Sequence, residues 1–291
     1  MVSSNAAAQT AFGPMVLAAI EHQYPAGRRL VDDDLAAAFL PPRLRALVAA
    51  ARIGWVREAL VRAAARAGPG LWASLACRKR LIDDRVSDPL NAFDAVVVLG
   101  AGFDTRAYRI ARHSALPVFE VDQQLNIDRK AEVVHRVLGA QPDSVHLVVA
   151  DLERDDIWTT LTDNTFQAGH RTLFIAEGLT QYLSPAAVSA MFTRLAAAAE
   201  GSQLIFSYVR QDFIDGENRY GAESLYRRFR DRTQVWQTGF VPEQLGEVLH
   251  EHGWRLSEQA GPAYYRDTYI RPTGRDLTGS QIEWTAVAQR V

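Results

Sequence analysis

Four carboxylates set the chemistry of this chain. Asp104, Asp122, Asp151 and Glu177 each fall just after a short apolar run, and Asp104 sits beside a glycine turn, Gly100-Ala101-Gly102. Glycines let the backbone turn tightly and let a ligand approach it. A helix that starts directly after such a turn adds free N–H groups and a partial positive charge. Asp104 and Thr105 are both suited to start one. Strand, glycine turn and helix start together form the entry to a nucleotide-binding unit.

The details narrow the ligand. A dinucleotide fingerprint runs Gly-x-Gly-x-x-Gly. Here Thr105 holds the third glycine's place, and Asp104 would repel a pyrophosphate. A cofactor with a cationic amino-acid end, such as S-adenosylmethionine, tolerates that acid better. Asp122 lies about 20 residues beyond the glycines, where this architecture places a ribose-binding carboxylate. Asp151 and Leu152 suit an adenine: the acid accepts from the exocyclic amine and the leucine packs on the ring. Glu177 stands at the end of a strand, where open α/β sheets place their sites.

The elements that must position these groups follow from patterning. Short apolar runs at 94–99, 117–122, 145–150, 171–176 and 203–209 read as strands, and most are separated by helix-compatible sequence. Ser184-Pro185 marks a clean helix start over 186–199. A helix at 242–250 and strands at 254–258 and 282–291 complete the pattern. The polar, aromatic stretch 210–238 interrupts it after the fifth strand, as lids and substrate walls do.

Before the first glycine the chain is helical in pattern. Helices are predicted over 12–21, after Asp32-Asp33-Asp34, and over 71–85. Another is predicted over 43–66, where Leu44, Leu47, Val48, Ala51 and Trp55 share one face. The opposite face carries Arg45, Arg52, Arg57, Arg62 and Arg66, read as a solvated face paired with acids elsewhere. Residues 1–10 are small and polar and are expected to fray. Three adjacent aspartates cannot face one point on a helix, and no histidine set has metal-ligand spacing, so no metal is expected.

The motifs Gly-Ala-Gly-Phe-Asp-Thr-Arg-Ala-Tyr-Arg and Phe-Glu-Val-Asp-Gln resemble the leucine carboxyl methyltransferase family of class I S-adenosylmethionine-dependent O-methyltransferases. The resemblance runs from about Arg78 to the C-terminus. It implies a Rossmann-like, doubly wound α/β sheet with an antiparallel last strand, a helical cap over 1–90, and a cofactor-binding domain over 91–291 with a lid at about 210–240. Arg78-Lys79-Arg80-Leu81-Ile82-Asp83-Asp84 matches the family's Arg-x-Arg-x-x-Asp-Asp, which implies that Arg78 holds the cofactor's carboxylate. Glu177-Gly178-Leu179-Thr180-Gln181-Tyr182-Leu183 matches Glu-Gly-Leu-x-x-Tyr-Leu, which implies Glu177 at the cofactor's amino-acid end and Tyr182 near the substrate, as the catalytic candidate. Gly100, Ala101, Gly102, Asp104, Asp122, Gln123, Asp151 and Leu152 complete the cofactor set.

Composition sets the outer bounds. The 291 residues are 48% hydrophobic, enough to bury a sizeable core. A net charge of −2 gives no sign of a nucleic-acid partner. The single cysteine, Cys77, excludes an internal disulfide and fits a reducing cytoplasm. No run reaches the roughly 20 apolar residues of a membrane span, so no membrane partner is expected. The function expected is methyl transfer to an oxygen, foremost a carboxylate of a small molecule, a peptide or a protein C-terminus. An NAD-dependent oxidoreductase and a non-catalytic S-adenosylmethionine-binding protein are the alternatives.

Overall fold

The computed structural model describes residues 12–88 and 92–291. The start expected to fray and the cap boundary expected at 90/91 lie outside the described residues, wholly or in part. Seven strands form one sheet in the order β3-β2-β1-β4-β5-β7-β6. They are β1 Ala95–Leu99, β2 Val118–Asp122, β3 Val145–Val149, β4 Thr172–Ala176, β5 Gln203–Val209, β6 Trp254–Ala260 and β7 Glu283–Arg290. β1 to β5 run parallel, while β7 pairs antiparallel with both β5 and β6. The strand order reverses at β1 and β4, which places the strand-end crevice beside the glycine turn.

The sheet is covered on both faces, as its unbroken apolar strands require. In β1, Val96 and Val98 enter one core, and Ala95, Val97 and Leu99 enter the other. The first core takes in α1 Phe12–Glu21, α2 Ala36–Phe39, α3 Pro42–Ala50, α4 Gly54–Ala67, α5 Leu71–Ser87, α6 Arg106–Ala111 and α7 Gln124–Leu138. The second takes in α8 Ile157–Asp163, α9 Pro185–Leu195 and, beyond the short α10 Gln211–Ile214 and α11 Glu223–Tyr226, α12 Leu245–Glu251. The N-terminal helices therefore share a continuous core with the sheet.

Two ties fix those helices. Glu21, fully buried, accepts from Trp72 Nε1 at 2.6 Å and pairs with Arg275 at 2.7 Å. Arg275 lies in the loop before β7. Asp33 accepts from the backbone N–H of Ala36 at 2.9 Å and from Thr105 Oγ1 at 2.7 Å, joining α2 to the glycine turn.

The stretch 210–240 has a small aromatic core of its own, with Phe229 stacked on Trp236 at 4.6 Å between ring centres. Its helical parts are the short α10 and α11, the latter continuing as a π-helical turn over Arg227–Arg232. It is stitched to the turn after β4: Gln237 N donates to Gln181 O at 2.7 Å, and Thr238 Oγ1 to Leu183 O at 2.6 Å.

One sequence expectation changes. The helix over 43–66 is two helices, α3 and α4, broken at Ala51-Arg52-Ile53. Trp55, expected on the buried face, is 74% exposed, and Leu47 is exposed as well. The 3.6-residue period was counted across a corner, which rotates everything beyond it. The helix after β3, α8, is capped by Asp156, whose carboxylate accepts from the N–H groups of Trp158 and Thr159.

Candidate functional site

The glycine turn leaves β1 with positive φ at Gly100 (+65°) and Gly102 (+44°). The positive φ at Gly100 favours glycine; a Cβ there would meet only the tip of the Leu179 side chain, at 2.9 Å. Ala101 N donates to Val121 O at 3.1 Å, which extends the β1–β2 pairing into the turn. Gly102 N donates to Asp122 Oδ2 at 2.7 Å. The second oxygen of Asp122 accepts from Gln123 N at 2.7 Å and Asn126 Nδ2 at 2.8 Å. An ionised carboxylate offers about four acceptor positions, so Asp122 retains capacity for a hydroxyl donor. Gln123 is the N-cap of α7.

Across the crevice, Glu177 receives three cations. Arg78 Nη2 lies 2.9 Å from Oε1, Lys79 Nζ 3.2 Å from Oε1, and Arg106 Nη1 2.6 Å from Oε2. Arg78 also pairs with Glu283 at the start of β7, and its Nη1 donates to Ser207 Oγ at 3.5 Å. Arg106 pairs with Asp83 Oδ1 at 2.5 Å and with Asp104. These groups come from α5, the glycine turn, α6 and the ends of β4, β5 and β7. All of Arg78, Lys79, Arg106 and Glu283 are buried.

The electrostatics follow from that packing. Burial opposes ionisation of Glu177, but Lys79, Arg106 and Arg78 outweigh it and hold the carboxyl well below the usual range. Burial likewise opposes the charge on Asp104, and Arg106 and Lys79 pull its carboxyl down. Against burial, Asp104, Glu177 and Asp83 raise the Arg106 guanidinium, and Glu283 and Glu177 raise that of Arg78. The result is a preorganised set of buried, fixed charges. It can orient a zwitterionic group, with carboxylates for an ammonium and guanidinium or ammonium groups for a carboxylate.

The remaining sequence candidates lie beyond the ends of β3 and β4. Asp151 follows β3, is partly exposed, and accepts from Glu153 N at 3.1 Å. Leu152 packs against the second core. Tyr182 closes the 3-10 turn Thr180–Tyr182, with its ring edge-on to Trp236 at 6.4 Å. The structure thus gathers Arg78, Asp104 and Glu177 into one network and ties Asp122 to the glycine turn through Gly102. Among the described residues, Asp151 bonds to its own loop, through Asp155 and Glu153, rather than to the network. A cavity of about 220 Å³ between α9 and 237–240, lined by Val188, Phe192 and His252, is separate from all of them. No group of His, Cys, Asp and Glu among the described residues could hold a metal.

Sequence reasoning missed Lys79, Arg106, Asp83 and Glu283 as members of the network. Arg106, Lys79 and Asp83 stood inside the two motifs already singled out. Glu283 had no local signal, because only the antiparallel return of β7 brings it to Arg78.

The leucine carboxyl methyltransferase family model matches residues 11–196. The match begins much earlier than the resemblance at Arg78 and takes in the N-terminal helices. A Mycolicibacterium smegmatis protein named as an S-adenosyl-L-methionine-dependent methyltransferase is 33% identical over 77% of this chain and 75% of its own length. A Mycobacterium avium protein similarly named is 37% identical over 72% of this chain and 67% of its own. Among solved structures, a Thermobifida fusca protein described as a methyltransferase superposes with a TM-score of 0.57 at 19% identity. That pairing covers 81% of this chain and 88% of the other and speaks to the fold. The motifs, the sheet order and the matched length converge: the chain belongs to the leucine carboxyl methyltransferase family of S-adenosylmethionine-dependent methyltransferases.

Proposed function

We propose that this chain methylates an oxygen, foremost a carboxylate of a small-molecule or peptide product or of a protein C-terminus. The observation that carries the site is the buried meeting of Arg78, Lys79 and Arg106 on Glu177, opposite a glycine turn backed by Asp122. In this reading Arg78 takes the cofactor's carboxylate and Glu177 its ammonium. Gly100, Ala101, Gly102 and Asp104 shape the turn, Asp122 and Gln123 hold the ribose, and Asp151 and Leu152 hold the adenine. The helices of 1–90 act as a cap on the domain over 91–291, and 210–240 acts as a lid.

S-adenosylmethionine supplies an already activated methyl group, so the chain needs only to position the acceptor and exclude water. In the same reading Tyr182 and Trp236, whose rings meet edge-on between the β4 turn and the lid, form part of the acceptor wall. A carboxylate is ionised at neutral pH and requires no general base, whereas a hydroxyl generally does. Among the described residues no histidine joins the network around Glu177, which favours the carboxylate.

Gly102 N is already committed to Asp122, and Asp104 adds a second acid beside the turn. Both disfavour a pyrophosphate and therefore the NAD-dependent alternative. Calorimetric titration with S-adenosylhomocysteine, with NAD as control, tests the reading, followed by a methyl-acceptor screen of carboxylic acids. Binding of NAD but not S-adenosylhomocysteine would overturn it. Tight cofactor binding without transfer to any acceptor would favour the non-catalytic alternative.

A further inference from the structure

The α3–α4 corner combines clustered arginines with exposed large apolar side chains. Six arginines and one acid, Glu58, lie between Pro42 and Ala67, in a chain whose net charge is −2. The near-neutral total hides this separation of charge. Several surface arginines elsewhere meet carboxylates, among them Arg80, Arg112, Arg194 and Arg271. Among the described residues Arg43, Arg45, Arg52, Arg62 and Arg66 meet none, which corrects the expectation that this face is paired with acids elsewhere. The sixth, Arg57, lies over the Tyr24 ring, and Glu58 itself accepts from Tyr24 OH at 2.8 Å.

The same corner exposes large apolar groups. Trp55 is 74%, Ile53 53% and Leu47 38% exposed, three of the seven exposed large hydrophobics of the described chain. On α4 the exposed positions Trp55, Glu58, Ala59, Arg62, Ala63 and Arg66 fall at helical spacing along one stripe, while Val56, Leu60, Val61 and Ala64 turn inward. On α3 the exposed Arg43, Ala46, Leu47 and Ala50 do the same. The break at 51–53 puts Arg52 and Ile53 at the tip.

We propose that this corner is a docking surface for an anionic lipid bilayer, on which the protein sits peripherally. Cationic guanidinium groups would meet lipid phosphates, while Trp55, Ile53 and Leu47 would enter the headgroup boundary, as an interfacial amphipathic helix does. Charge complementarity selects an anionic partner and excludes a second copy of the same basic face. The exposed aliphatic side chains distinguish lipid from nucleic acid, which is bound through phosphate contacts and stacking on aromatic or guanidinium planes. No helix among the described residues is long and apolar enough to cross a membrane, so the contact would be at the surface only.

Co-sedimentation of the full chain with vesicles tests this. The expected result is binding to phosphatidylcholine vesicles carrying about one-third phosphatidylglycerol, and little to phosphatidylcholine alone. Binding should weaken about fivefold for each arginine removed in Arg52→Gln and Arg62→Gln, the fold-change that follows from the attraction per basic residue. High salt should release the protein. Trp55→Ser should weaken binding with no change in its salt dependence. All three side chains are exposed, so the variants should melt like the parent. Equal binding by parent and variants, no binding at low salt, or retention by polyglutamate or single-stranded RNA insensitive to Trp55→Ser would each overturn the proposal.

Discussion

Arg106 donates to Glu177 at 2.6 Å although 71 residues separate them in the chain. The contact joins the helix after the glycine turn to the end of β4. Removing the charge on Glu177 leaves three buried cations facing a neutral amide. Stranding one partner of a buried pair costs about 3–5 kcal/mol. Glu177→Gln is therefore expected to lower the melting temperature by roughly 10 °C and to abolish S-adenosylhomocysteine binding in calorimetry. A variant that melts and binds like the parent would remove Glu177 from the site.

Asp122 holds Gly102 N and has acceptor capacity left for the ribose. Asp122→Ala should weaken cofactor binding by about 1.5–3 kcal/mol, the range for a hydrogen bond to a charged group. Calorimetry on the folded variant decides it; unchanged affinity would move the ribose elsewhere.

Beneath the turn, Lys130 Nζ lies 2.5 Å from Glu120 Oε1, and Tyr108 OH donates to Glu120 Oε2 at 2.9 Å, with all three side chains buried. Burial pushes the Glu120 carboxyl up to about 7, with Lys130 pulling it back and Asp104 adding to the rise. A carboxyl whose folded value lies above its unfolded value binds more protons in the folded state. Its stabilising share is complete below about pH 4.5 and is lost as pH rises through about 7. The melting temperature of the parent minus that of Glu120→Gln should therefore fall between pH 5 and pH 8. A difference that grows over that window would contradict the assignment.

Two glycines with positive φ offer an internal control on packing. A Cβ on Gly70 would lie 2.5 Å from the backbone of Gly279, whereas at Gly139 nothing lies within 4 Å. Gly139→Ala should cost only the backbone strain of a positive φ, about 1–3 kcal/mol. Gly70→Ala should cost clearly more, because backbone must shift. Urea unfolding of the two variants compares them, and equal losses would mean that the contact at Gly70 relaxes freely.

How much of this was legible before the coordinates depends on how local each signal is. The β1 run, the Gly100–Gly102 turn and Asp122 were readable because strand, turn and spacing are written in neighbouring residues. The antiparallel β7 and the stretch at 210–240 came from the family resemblance and from a break in the strand–helix alternation. The role of Arg106 was not readable. Its partners Asp83, Asp104 and Glu177 lie on three separate stretches, and only the folded sheet sets their distances. Trp55 was misplaced for the opposite reason: a local period was trusted across Ala51-Arg52-Ile53, where the helix ends.

The bond between Arg78 and Glu283 spans 205 residues. During synthesis, the glycine turn, Asp122 and Glu177 all leave the ribosome long before β7 does. Arg78 can by then have met Glu177, but its second carboxylate arrives only with the last strand. A nascent chain therefore holds Arg78 with only one of its two carboxylates until β7 has been made, and the ionic lock across the strand ends closes only after that strand joins the sheet.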